Sequence, residues 1–159
     1  MAELSVPVDS DPTASLVRSV RRIAQAIDVR SREISSLTGL TLPQLLVLQS
    51  IRALGEVSTS AISRDVSMSS PTVVAVLDRL EAKGLIVRYR SETDRRVVHA
   101  RLTDFGCAAL TDAPGLMGAE ALSRWSALAP ERQKTMAGAM SMFADLIAGK
   151  RLDNDVGET

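Results

Sequence analysis

The residues best suited to act on another molecule are arginines, and they cluster. Arg79, Arg88, Arg90, Arg95 and Arg96 fall in one short stretch. From Arg64 to Arg101, eight Lys or Arg stand against five acids, a local excess of three in a chain of formal net charge zero. Such a patch attracts phosphate although the whole molecule is neutral. Just ahead of it, Ser69, Ser70 and Thr72 supply hydroxyls, and Pro71, Val74 and Ala75 supply apolar contact. Hydroxyls bond to either kind of base edge, and small apolar side chains meet thymine methyl groups. Catalytic groups are scarce. His99 is the one histidine and Cys107 the one cysteine, and there is no glycine-rich phosphate loop. A zinc site of ordinary ligand count is disfavoured, as is His- or Cys-based nucleophilic catalysis. The chain is expected to be no enzyme and to carry no cofactor and no metal.

The elements that must hold these residues follow from periodicity. Leu16, Val20, Ile23, Ile27, Ile34 and Leu37 recur at helical spacing, and Gly39 stops that helix. Thr41 and Gln44 form a start signal around Pro43, for a helix ending at Gly55. Thr59 is the expected cap of a short helix through Ala61, Ile62 and Val66. Ser67-Met68-Ser69 makes a tight turn, and Ser70 is the expected cap of a helix with Pro71 at its first position. That helix buries Val73, Val76, Leu77 and Leu80 and ends at Lys83-Gly84-Leu85.

The period then falls to two. Val87 and Tyr89 share one face, with Arg88 and Arg90 on the other. Val98, Ala100 and Leu102 alternate with Val97, His99 and Arg101. The polar loop between these strands, residues 91–96, is too long for a two-residue turn, so a hairpin with a charged, protruding tip is expected. Thr103 caps a further helix, Pro114-Gly115 breaks it, and a last helix runs from Pro130 to Ala148. Helix, tight turn, helix and basic hairpin make a helix-turn-helix with a wing. Its second helix suits the major groove of double-stranded DNA, and the wing tip suits the adjacent minor groove.

The stretch SSPTVVAVLDRLEAKGLIVRYRSETDRRVVHARLTDFG, from Ser69 to Gly106, resembles the MarR family of bacterial regulators. The combination of P-T, D-R-L-E-x-K-G-L-I, D-R-R and L-T-x-x-G at these spacings carries the likeness, over roughly the 65 residues from Leu40. The resemblance implies a homodimer whose first and last helices intertwine on a pseudo-palindromic operator. It implies relief of repression by a small molecule or oxidant. It also implies that Asp94 and a neighbouring arginine pair to shape the wing, while an arginine of Arg95 and Arg96 enters the minor groove. Val74 and Ala75 depart from the polar residues frequent at those positions. Direct readout then rests on Ser69, Ser70 and Thr72, with Arg79 on phosphate and Arg88 and Arg90 either on phosphate or simply exposed.

Two further residues have competing readings. Arg30 interrupts an apolar stripe, as an anchor for an anionic effector or as a snorkelling or interface side chain. Cys107 is an oxidation switch or, the favoured reading from its apolar neighbours, a buried inert thiol. No disulfide can form within one chain. No stretch has the form of a signal peptide or a bilayer-spanning run, so the cytoplasm is expected and the membrane is not a partner.

The expected fold is mainly α with a small β-hairpin wing. Its segments are a tail at 1–12, a dimerisation helix at 13–39, a DNA-binding lobe at 40–104, connecting and dimerisation helices at 105–149, and a tail at 150–159. The expected function is a sequence-specific DNA-binding repressor released by a small-molecule effector. A winged-helix protein-interaction module without specific DNA binding, or an activator, are the alternatives.

Overall fold

The computed structural model describes residues 11–111 and 113–149. Helix α1 (Pro12–Thr38) opens on Asp11, whose carboxylate accepts the Thr13 N–H at 2.9 Å, and closes at Gly39 with φ 68°. Asp11 and Pro12 thus belong to the helix and not to the expected tail. The remainder of that tail, and the segment 150–159, lie outside the described residues. Of the apolar stripe only Ile34 is buried, while Leu16, Ile23, Ile27 and Leu37 are exposed.

Helix α2 (Leu42–Leu54) begins as its sequence signals. The Gln44 side-chain oxygen reaches back to accept the Thr41 N–H at 3.1 Å. Its Leu45, Val47, Leu48 and Ile51 are buried in the core. Strand β1 (Val57–Ser58) follows, and the sequence reading did not include it, because two residues are too few to show alternation. Helix α3 (Thr59–Asp65) is capped by Ser58 and not Thr59: the Ser58 hydroxyl accepts the Ala61 N–H at 3.2 Å.

The tight turn is held from both ends. Ser67 takes φ 53°, and the Ser63 hydroxyl donates to the Met68 carbonyl at 2.6 Å. Helix α4 (Ser70–Ala82) is capped by Ser69, one residue earlier than expected, with the Ser69 hydroxyl accepting the Thr72 N–H. In both corrected caps the serine preceding the expected residue has the extended backbone that a cap requires, so its oxygen meets the third N–H along. Val73, Val76, Leu77 and Leu80 are buried as the spacing predicts.

Gly84 takes φ 71°, and the Leu85 N–H bonds back to the Leu80 carbonyl at 3.0 Å, ending α4 in a left-handed cap. Strands β2 (Ile86–Arg90) and β3 (Val98–Leu102) pair antiparallel from Ile86 opposite Leu102 to Arg90 opposite Val98. With β1 opposite Ala100 and His99, the sheet order is β1-β3-β2.

Thr103 closes the lobe. Its hydroxyl donates to the Gly84 carbonyl at 2.7 Å and accepts the Gly106 N–H at 3.0 Å, capping α5 (Asp104–Thr111). At Gly106 a Cβ would stand 2.0 Å from the Leu85 carbonyl oxygen, so only glycine lets α5 approach the start of β2. The chain divides into two compact units between Leu116 and Met117. The second holds α6 (Ala119–Ser126) and α7 (Pro130–Ile147), joined by Gln133 Nε2, which donates to the Trp125 carbonyl at 2.8 Å. Neither helix contains a buried residue. No single described helix is long and apolar enough to cross a membrane.

Candidate nucleic-acid interface

The first half of α4 projects the expected base-reading residues. Ser69, Ser70, Pro71, Thr72, Val74 and Ala75 are all exposed, Val74 at 42%. The Ser69 and Thr72 hydroxyls bond to each other at 2.7 Å, which leaves the Ser70 hydroxyl as the one of the three without a hydrogen bond among the described residues. Arg79, one helix face further on, is exposed.

The wing is shaped by backbone contacts. Asp94 accepts the Arg96 N–H on its side chain at 3.0 Å and the Val97 N–H on its carbonyl at 2.9 Å. Ser91 Oγ accepts the Thr93 and Asp94 N–H groups, each at 3.3 Å. No ion pair joins Asp94 to Arg95 or Arg96 among the described residues, so the side-chain pair implied by the resemblance is not formed here. An Asx-type turn through Asp94 does that work. Both Arg95 and Arg96 are exposed at the tip, while Arg90 reaches under the loop and donates to the Arg95 carbonyl at 3.0 Å.

Arg88 is placed differently from the expectation of a phosphate contact or a simply solvated face. Its strand parity matches Ile86, which is buried, and its partner across the sheet is Ala100, also buried. The arginine face of β2 therefore begins on the core side. There the Arg88 guanidinium meets α4: Nη1 lies 2.7 Å from Asp78 Oδ1, Nη2 lies 2.6 Å from Glu81 Oε2, and Nε donates to Glu81 Oε2 at 2.9 Å. The Arg88 backbone N–H adds a bond to Glu81 Oε1 at 3.1 Å. These bonds hold the Glu81 carboxyl below the usual carboxylate range and the Arg88 guanidinium above its own. Asp78 and Glu81 were counted in the sequence only as opposing charge; the parity of Ile86 with Arg88 is the signal that would have found the pairing.

Elsewhere in this unit, the Tyr89 hydroxyl donates to the Glu56 carboxylate, whose bond and charge raise the phenol's pKa, and the Tyr89 ring lies 5.6 Å from that of His99. Cys107 is exposed, a correction to its reading as a buried thiol: α5 turns Gly106 and Leu110 inward and leaves Cys107 facing out. Arg30 is part-buried, with Nε donating to the Gly115 carbonyl at 3.0 Å and Nη1 on Glu33 at 2.6 Å.

Two helices set by a serine-rich turn, with a basic hairpin tied to the second, make this lobe a winged helix-turn-helix. Residues 40–98 match the MarR family, and the likeness to that family covers this lobe. An uncharacterised HTH-type transcriptional regulator of Bacillus subtilis, YsmB, is 31% identical over 93 residues, 58% of this chain and 64% of its own length. The HTH-type transcriptional repressor MdtR of the same organism is 35% identical over 88 residues, 55% and 57% of the two lengths. The match thus spans less than two thirds of either relative. A cysteine-to-serine mutant of Escherichia coli MarR, crystallised with operator DNA, has a TM-score of 0.65 at 25% identity, covering 79% of this chain and 91% of that one.

Proposed function

We propose that this protein is a transcriptional regulator that binds a pseudo-palindromic operator in double-stranded DNA as a homodimer. The observation that carries the reading is the joint exposure of the α4 N-terminal residues and the wing arginines on one tied lobe. Helix α4 lies in the major groove with Ser69, Ser70, Pro71 and Thr72 toward base edges and Val74 and Ala75 toward thymine methyls. Arg95 and Arg96 enter the minor groove, Asp94 and Arg90 hold the loop that presents them, and Arg79 meets phosphate. Arg88 acts behind this surface by holding α4 against the wing.

Dimerisation is supported by apolar side chains that α1 and α7 leave exposed. Leu16, Ile23 and Ile27 on α1, and Met136, Met140 and Ile147 on α7, expose apolar side chains at helical spacing. A second copy covers them and sets two half-sites about one helical turn apart, roughly 34 Å. Repression is the sign of regulation we infer, as the name of MdtR describes for that relative. Release by an anionic small molecule at Arg30 completes the reading.

The test is fluorescence anisotropy with DNA from upstream of the protein's own gene and with scrambled DNA, at several salt concentrations. Tight, sequence-preferring binding is expected. The double variant R95A/R96A is expected to bind weakly, with a log–log salt slope shallower by about 1–2 if the arginines neutralise phosphates. Equal, weak binding to both DNAs would favour a protein-interaction module, a second reading that the exposed apolar Val74 and Ala75 support.

A further inference from the structure

Helix α4 is fastened at both of its flanks, and only one fastening faces the wing. At its C-terminal end the Lys83 ammonium donates to the Gly39 carbonyl at 2.8 Å. Gly39 is the left-handed residue that ends α1 and begins the link to α2. Among the described residues this is the one hydrogen bond between α4 and the end of α1. The link it grips is itself rigid. The Thr38 hydroxyl donates to the Ile34 carbonyl at 2.7 Å and accepts the Leu40 N–H at 3.1 Å, while Ile34 and Leu40 are buried on either side.

Lys83 has no carboxylate partner among the described residues, and its own backbone is the cap residue of α4. The ammonium thus spends one of its three donors on a carbonyl whose position is fixed by the direction of α1. Apolar contacts between α1 and the lobe resist separation but resist rotation poorly, because they are non-directional. A charge-assisted hydrogen bond at the helix end does resist it.

We propose that Lys83 is a positioning residue for operator recognition, a strap that carries the orientation of α1 to the recognition helix and so fixes the half-site spacing the dimer accepts. This rests on the reading of the protein as a dimeric DNA binder. Without the strap each lobe still folds and still reads a half-site, but the pair tolerates operators of the wrong spacing.

The experiment uses the full chain and a duplex enriched by the wild-type protein from a randomised pool. Further duplexes carry two base pairs inserted at the centre, or a single half-site. The wild type is expected to lose about tenfold or more in affinity on the insertion, which rotates one half-site by roughly a fifth of a turn. K83M is expected to lose less than about threefold, with half-site affinity and Tm close to wild type, and K83R is expected to restore the discrimination. Equal discrimination by K83M and wild type overturns the strap and leaves the DNA-binding reading intact. Equal losses by K83M on every duplex, with a lowered Tm, also overturn it, in favour of a merely structural lysine. A wild type that enriches no sequence overturns the DNA-binding reading and this proposal together.

Discussion

Arg88 on β2 and Glu81 on α4 meet through three hydrogen bonds, two from the guanidinium at 2.6 and 2.9 Å and one from the backbone N–H at 3.1 Å. Helix α4 and the β2 strand of the hairpin are therefore tied together at this point. Asp78, at 2.7 Å from the same guanidinium, widens the joint to a second turn of α4. The group is partly solvated, with the Arg88 side chain 25% exposed, so its worth lies between that of a surface pair and a buried one.

R88M is expected to lose about 1 kcal/mol of stability, read from the urea midpoint at neutral pH. The Glu81 carboxyl sits below its ordinary range when folded. Its contribution is therefore complete above the unfolded-chain value of about 4.3 and is lost as pH falls from there through the lower folded value. Wild type should weaken more steeply than R88M across that acid window. Parallel curves for the two proteins would show that the joint contributes nothing to the pH dependence.

Gly106 gives a sharper prediction. A Cβ there would lie 2.0 Å from the Leu85 carbonyl oxygen, and that oxygen also accepts the Thr103 N–H at 3.1 Å, so neither backbone can withdraw freely. G106A should cost about 3 kcal/mol, the upper end for overpacking, in thermal or urea unfolding. Wild-type stability in G106A would mean that α5 shifts without penalty.

Ser50 runs the other way. It is buried in α2, and its hydroxyl has no hydrogen-bond partner among the described residues. Removing an unsatisfied buried hydroxyl recovers its desolvation penalty at the loss of little volume, so S50A is expected to be neutral or more stable by about 1 kcal/mol. A marked drop in Tm for S50A would reveal a partner for that oxygen in the dimer.

The elements were legible wherever a period lasted several residues, as in α1, α4 and the two long strands. Two caps were misplaced by one residue because Ser58-Thr59 and Ser69-Ser70 offer two acceptable caps in succession, and sequence pattern cannot choose between them. The third strand was too short to carry a pattern. The core face of β2 was misjudged because arginines at alternate positions look solvated; the buried Ile86 at the head of the same face is what turns Arg88 inward. The wing ion pair failed for a different reason: residue types identified Asp94, but whether it meets a guanidinium or a backbone N–H depends on loop geometry.

Arg30 separates a ligand anchor from a structural latch. Its guanidinium already serves the Gly115 carbonyl and Glu33. An anion arriving there must compete with Glu33 for the same charge, so E33Q is expected to sensitise release of DNA by a simple carboxylate probe such as benzoate. R30A is expected to abolish that response while leaving DNA affinity within about threefold, since Arg30 lies on α1, apart from the residues proposed to meet DNA. Release of R30A at the same benzoate concentration as wild type would remove Arg30 from any effector site.

The proposed dimer is testable on α7. Helix α7 has 18 residues and buries none of them, while Met136, Met140 and Ile147 expose apolar surface along one face of it. An isolated helix is marginal in water, and most helical stability in proteins comes from packing an apolar face. In the proposed dimer a symmetric second copy covers this face with the same residues. M140E places a charge at that seam, where burial without a partner is costly. Sedimentation should show wild type as a dimer at micromolar concentration and M140E shifted toward monomer, with loss of far-UV helical signal from α7 and with the full operator bound weakly. Half-site affinity should survive, because the lobe keeps its own core of Leu45, Leu48, Ile62, Leu77 and Leu80. A dimeric M140E with unchanged operator affinity would place the subunit interface elsewhere, and a monomeric wild type would remove the two-fold operator from the account altogether.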